Sequence, residues 1–156
     1  MARQRVVITD LTRMRDERVC VAGYPLSLVE RTSCVRPDFH YGAITESWLL
    51  SHGTAVVRPF AVVELDLLHH RPEPPHTEDW IIDRRCRGAH GITPIQAQHA
   101  LLNDLDDSSV AEIFGAEVHH DRGWWVKSGT GYRSLGTIRP TKIVGLVYAP
   151  RQNRDT

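Results

Sequence analysis

Apolar and polar positions alternate through most of this chain, and the alternation predicts short strands. Arg5 to Leu11 (RVVITDL) reads as a first strand and Arg18 to Tyr24 (RVCVAGY) as a second. The polar connection between them is short, which predicts a hairpin. Ser33 to Arg36 reads as a third strand ended by Pro37, and the close spacing of these β-branched runs predicts an antiparallel meander. A helical turn is expected at Thr45 to Leu50, with Trp48 packing it onto the sheet, and a short strand at Ala55 to Arg58. Phe60 to Leu68 (FAVVELDLL) is the strongest strand signal. Its alternation puts Val63, Leu65 and Leu67 on one face and Glu64 and Asp66 on the other.

The proline-rich stretch from Arg71 to His76 is the best internal boundary, and Trp80 to Asp83 follows as a short strand. Thr93, Pro94 and Gln96 form a helix start, with Thr93 as the N-cap. That helix is expected to end near Asn103 to Leu105 and to turn Ile95, Leu102 and Leu105 to one side. A second helix is expected from about Ser108 to Phe114, stopped by Gly115. Strands then return at Trp124 to Lys127, Arg133 to Ile138 and Lys142 to Tyr148, with a hairpin signal at Gly129-Thr130-Gly131.

The predicted architecture is mainly β: an OB-like small barrel of short antiparallel strands with a small helical insert near residues 93–114. The alternative is an α+β sheet with the helical pair packed on one face. The expected organisation is one compact unit over 1–156, divisible into two OB-like halves at 1–70 and 71–156. No window approaches about 18 consecutive apolar residues, so no membrane-spanning helix is expected. Val6 to Ile8 is too short an apolar run for a secretory signal, and a cytoplasmic protein is expected.

Charge adds a pattern that the total hides. Lys+Arg and Asp+Glu are both 19. Residues 1–60 hold eight Arg against six acids, residues 61–120 four Arg against eleven acids, and residues 121–156 seven basic groups against two acids. Two basic segments flank an acidic one, and they make a positive face if they meet in space. Only Lys127 and Lys142 are lysines. A guanidinium grips phosphate and stacks on bases in ways an ammonium does not.

Several chemistries find no support. There is no GxSxG, no GxxxxGK[ST] loop and no HExxH. Cys20, Cys34 and Cys86 show no CxxC spacing and read as reduced thiols, not a disulfide framework. His69-His70, His119-His120-Asp121 and the Cys86 to His90 stretch lack the paired spacing of a structural zinc site. No metal or cofactor is expected.

Seven stretches form a familiar set: Thr9 to Met14, Arg18 to Gly23, Val35-Arg36-Pro37, Arg58-Pro59-Phe60, Pro75 to Trp80, His119 to Trp124, and Leu135 to Pro140. Through them the chain resembles, from about residue 5 to 150, uncharacterised bacterial proteins described as dual OB-fold-containing domains. The resemblance implies two OB-like barrels and nucleic-acid or nucleoprotein binding. The chain ends at Thr156, so a second barrel needing strands beyond Tyr148 would lack them.

The leading candidate site is a basic and aromatic surface for single-stranded DNA or RNA. Its residues are Arg122, Trp124, Trp125, Lys127, Arg133 and Arg139 from the C-terminal segment, with Arg13, Arg15, Arg36 and Arg58 from the N-terminal half. Adjacent strand residues face opposite ways, so one of Trp124 and Trp125 is expected in a core and the other as a stacking platform; the alternative is that both are buried or cover a barrel end. A protein partner for the acidic middle segment is the first alternative. The second is a metal-dependent hydrolase using Glu64 and Asp66, joined by Asp10 or Asp121. The His76-Thr77-Glu78-Asp79-Trp80 stretch reads as an ordered loop whose turns fix the approach to a strand.

Overall fold

A computed structural model describes residues 2–27 and 34–145. Five strands form the main sheet: β1 (Ala2–Arg13), β2 (Val19–Pro25), β3 (Arg36–Asp38), β6 (Ala61–His70) and β7 (Asp79–Ile92). Two short strands, β4 (Leu50–Ser51) and β5 (Thr54–Ala55), pair as a tight hairpin between β3 and β6. The sheet order is β2-β1-β6-β7-β3. Neighbours are antiparallel except β3 and β7, which run parallel. Gly23 of β2 and Val35, just before β3, exchange backbone hydrogen bonds of 3.0 and 2.8 Å. That bridge joins the two edges, and the sheet becomes a nearly closed OB-like barrel.

Closure depends on Gly23. A Cβ there would lie 2.2 Å from the Val7 carbonyl oxygen and 2.9 Å from the Ile8 Cα, both backbone atoms. Only glycine lets β2 lie this close to β1 while also reaching Val35. A bulge between Ile8 and Asp10 lies beside this point, and bulges raise the local twist a barrel needs.

The alternation seen in the sequence fills the interior. Val6, Ile8, Val19, Val21, Val63, Leu65 and Leu67 point inward and meet Phe39, Ile44, Leu49 and Val57 from the β3–β6 connection. That connection carries a 3₁₀ turn at Glu46–Leu49, with Trp48 packed against the core as expected.

The C-terminal segment adds α1 (Ile95–Asp104), β8 (Asp106–Asp107), α2 (Val110–Phe114), β9 (Val118–His120), β10 (Trp124–Val126) and β11 (Thr137–Ile138). β8 pairs with β11, and β9 with β10. Ser109 caps α2 by accepting from the Glu112 N–H, and Gly115 ends it in a left-handed conformation (φ 59°). A Cβ on Gly115 would meet the Tyr132 ring at 1.6 Å, so the ring packs only against a glycine. Among the described residues no helix is long and apolar enough to cross a membrane.

Several expectations need correction. β3 starts at Arg36 and includes Pro37, because its pairing with β7 is parallel and short; Ser33 lies outside the described residues. β7 runs to Ile92, not Asp83. Its second half is polar and shows no apolar alternation, yet β6 supplies its hydrogen-bond partners. The proline-rich crossing at 71–76 therefore joins two neighbouring strands of one sheet. Ala55 to Arg58 contributes only the end of the β4–β5 hairpin.

Thr93 is not the helix cap. Pro94 holds that position, and the buried Thr93 hydroxyl has no hydrogen-bond partner. α1 buries Leu101 while Ile95 faces solvent. Arg133 to Ile138 is strand only at Thr137–Ile138, and the Gly129 turn does not join paired strands. Residues 142–145 are not strand, and 146–148 lie outside the described residues.

Candidate nucleic-acid interface

An OB barrel typically binds its ligand on the face of its second and third strands, between the first–second and fourth–fifth loops. In this chain the corresponding loops are residues 14–18, between β1 and β2, and residues 71–78, between β6 and β7. Part of that face is already covered. The outward side chains of β2, Ala22 and Tyr24, form a second apolar cluster with Cys34, and Leu105 and Leu135 pack onto it. Burial pushes the Cys34 thiol up to about 12 and also raises the Tyr24 phenol. Both groups stay protonated at neutral pH.

Polar contacts pin the C-terminal segment in place. Glu78, only 4% exposed, accepts from the Ser134 N–H at 3.1 Å and from the Ser134 hydroxyl. His76 Nδ1 lies 2.8 Å from Ser134 Oγ. The one hydroxyl proton of Ser134 goes to Glu78, so His76 Nδ1 must be the donor to Ser134. The Thr77 hydroxyl donates to the Tyr132 carbonyl, and the Gly129 N–H donates to the Pro74 carbonyl at 3.1 Å. The stretch expected as a loop from His76 to Trp80 is loop only to Glu78, ordered by these contacts, while Asp79 and Trp80 already belong to β7.

The uncovered remainder of the face is a groove of three adjoining cavities. The first lies along the β1–β2 loop at Arg13, Met14, Arg15 and Arg18. The second shares Met14 and Arg18 with it and runs past Cys20, Asp38 and Asp79 to Arg36 and His76. The third shares Arg36 and His76 and ends at Pro74, Pro75, Trp124 and Trp125. Met14, a flexible apolar side chain, is 58% exposed at the first end.

At the far end, β9 and β10 form a hairpin that, among the described residues, has no third strand beside it. Trp124 stacks obliquely on His120 with ring centroids 4.3 Å apart, and Trp125 stacks on His119 at 4.5 Å. Neither indole is in a core: Trp124 is 74% exposed and Trp125 49%. The expectation that one of them is buried fails because an isolated two-stranded hairpin has no inner face.

The predicted basic residues divide between the groove and other places. Arg13, Arg15 and Arg36 line the groove. Arg13 also pairs with Glu46 at 2.9 Å. Arg36 is half-buried and pairs with Asp79 at 2.5 Å. Burial lowers the Arg36 pKa, but the Asp79 hydrogen bond and charge outweigh it and the net shift is upward. Arg122 and Lys127 flank the tryptophan strand and are exposed. Arg133 serves the fold: it pairs with Asp107 and donates to the Ile113 carbonyl at 3.0 Å. Arg139 faces Asp106 and Asn103. Arg58 is exposed in the turn before β6, outside the groove.

Glu64 and Asp66 do share a face of β6, opposite the core. Asp66 is 5% exposed and accepts from Arg3 at 2.7 and 3.1 Å, while Glu64 faces Arg5 at 3.4 Å and His90 at 3.5 Å. Among the described residues no group of three or more His, Cys, Asp or Glu side chains is placed to hold a metal ion.

Sequence reasoning missed Met14, Arg18 and His76 as groove residues. The signal available for Met14 was its place in the loop between the first two strands, the loop OB barrels use for ligands; Arg18 was read as strand, but β2 starts at Val19. No protein-family model, curated protein or solved structure matches the chain.

Proposed function

We propose that the groove binds single-stranded nucleic acid without enzymatic chemistry. The observation that carries this reading is the pair of exposed indoles at one end of a groove that begins at the β1–β2 loop of an OB-like barrel. Exposed aromatic faces stack on bases, and each stacked base contributes about 1–3 kcal/mol. Arg15 and Arg18 supply donors for phosphate at the other end.

The groove also contains acids. Asp79 neutralises Arg36, and Asp38 and Asp16 lie along its length. Stacking therefore outweighs phosphate contact, and affinity should fall only gently with salt. We extend the reading to kinship with dual OB-fold proteins, supported by the OB-like barrel of β1, β2, β3, β6 and β7, and to a cytoplasmic location, supported by the free thiols Cys20 and Cys34.

Fluorescence anisotropy with labelled oligothymidylate and oligouridylate across a salt series tests the reading. Trp124→Ala and Trp125→Ala should each weaken binding by about 1–3 kcal/mol. Arg58→Ala, outside the groove, should leave it unchanged. Absence of saturable binding by folded protein at low salt would refute the proposal and favour a protein partner.

A further inference from the structure

The acidic middle third of the chain contains an arginine cluster whose guanidiniums form no ion pair among the described residues. Arg84, Arg85 and Arg87 line one cavity of about 380 Å³ with Phe39, Trp48 and Ser47. A register irregularity brings them together. Between Leu65 and Leu67, two steps along β6 face five along β7, from Arg87 to Ile82. The extra β7 residues bulge out of the ladder, and a bulge re-aims side chains that a regular strand would send to opposite faces.

Two of the guanidiniums are held in position. Arg84 lies over the Phe39 ring at 4.4 Å and donates to the Tyr41 carbonyl at 2.9 Å. Arg87 lies over the Trp48 ring at 5.3 Å and donates to the Leu50 carbonyl at 2.7 Å. Arg85 is exposed at the same cavity. Nearby acids are engaged by other groups. Asp83 accepts from the Arg85 backbone N–H at 2.8 Å, and Glu46 pairs with Arg13.

The contrast with other arginines is informative. Arg36 and Arg133, half-buried like Arg87, each hold a carboxylate, and their pKa values are raised. Burial lowers that of Arg87, with nothing opposing it. Three neighbouring cations, two of them fixed by backbone carbonyls and with N–H donors to spare, favour an anion among them. We propose that this cavity is an anion site that takes a phosphate group, with the Arg84, Arg85 and Arg87 guanidiniums as donors and the Ser47 hydroxyl beside them. The site stands apart from the nucleic-acid reading, because phosphate alone suffices to fill it.

Isothermal titration of the full chain with inorganic phosphate at constant ionic strength tests this. Saturable binding is expected, weakened about tenfold in Arg85→Ala, whose side chain is exposed, with the melting temperature unchanged. Arg85→Lys should recover part of the loss, because a lysine restores the charge without the fork. Competition then separates the sources. Displacement by a 5′-phosphorylated thymidine dinucleotide alone assigns a terminal phosphate, and equal displacement by the unphosphorylated dinucleotide assigns a backbone phosphodiester. No saturable heat at millimolar phosphate, or equal affinity in Arg85→Ala, would overturn the proposal.

Discussion

The barrel and the C-terminal segment are held by different forces. In the barrel fourteen buried residues form one apolar cluster. Where the C-terminal segment meets the barrel, the cluster has three, with Leu105 and Leu135 laid over it. The weight there is carried by hydrogen bonds linking His76, Thr77 and Glu78 to residues 132–134. Apolar burial is additive and non-directional, so the barrel tolerates local error. Buried polar joints depend on geometry, and a lost partner leaves a donor or acceptor unpaired.

The sharpest way to break this contrast is from the barrel side. Leu65 is 1% exposed at the centre of the main cluster. Leu65→Ala should cost about 2–5 kcal/mol in urea unfolding and lower stability across the whole chain. A loss under about 1 kcal/mol would mean the cluster is not the main source of stability.

Glu78→Ala acts on the joint instead. It leaves the Ser134 N–H and hydroxyl without their acceptor and should cost about 1–3 kcal/mol. Amide hydrogen exchange should accelerate at 132–135 while β1 and β6 stay protected. Uniform acceleration would show that the two regions unfold as one.

Alkali probes the same joint with a defined sign. Burial raises Cys34 to about 12 and raises Tyr24, so the native state keeps protons that the unfolded chain loses. Unfolding is therefore favoured as pH rises through the ordinary thiol range, and stability should fall from about pH 9 upward. Urea midpoints between pH 8 and 11 check this, and Cys34→Ala should flatten the slope.

The smallest expected effect lies at the link between the regions. The buried Thr93 hydroxyl is unpartnered, while its backbone N–H donates to the Phe60 carbonyl at 2.9 Å. Thr93→Val keeps the shape and removes the orphan, so thermal unfolding should show no loss or a gain of up to about 1 kcal/mol. A clear loss would mean the hydroxyl has a partner, such as an ordered water.

Legibility in the sequence followed these same forces. The hairpin of the first two strands, the inward faces of Val63, Leu65 and Leu67, and the Gly115 stop were readable because each depends on neighbours in the chain. The second half of β7 was not, because its order comes from hydrogen bonds to β6 and leaves no apolar period. Arg36 and the two tryptophans were named in advance, but their common groove was not, since His76 joins them only through the fold.

Local patterning by itself determined a mainly β chain, the small-barrel class and the short helical insert, because alternation, caps and turn residues act over a few positions. Tertiary structure alone decided which arginines are neutralised and which stay open. Arg133, predicted for a ligand, closes on Asp107, while Arg84, Arg85 and Arg87 hold no carboxylate in an ion pair among the described residues. Charge pairing depends on distance in space, and those distances are set by contacts between residues far apart in the chain.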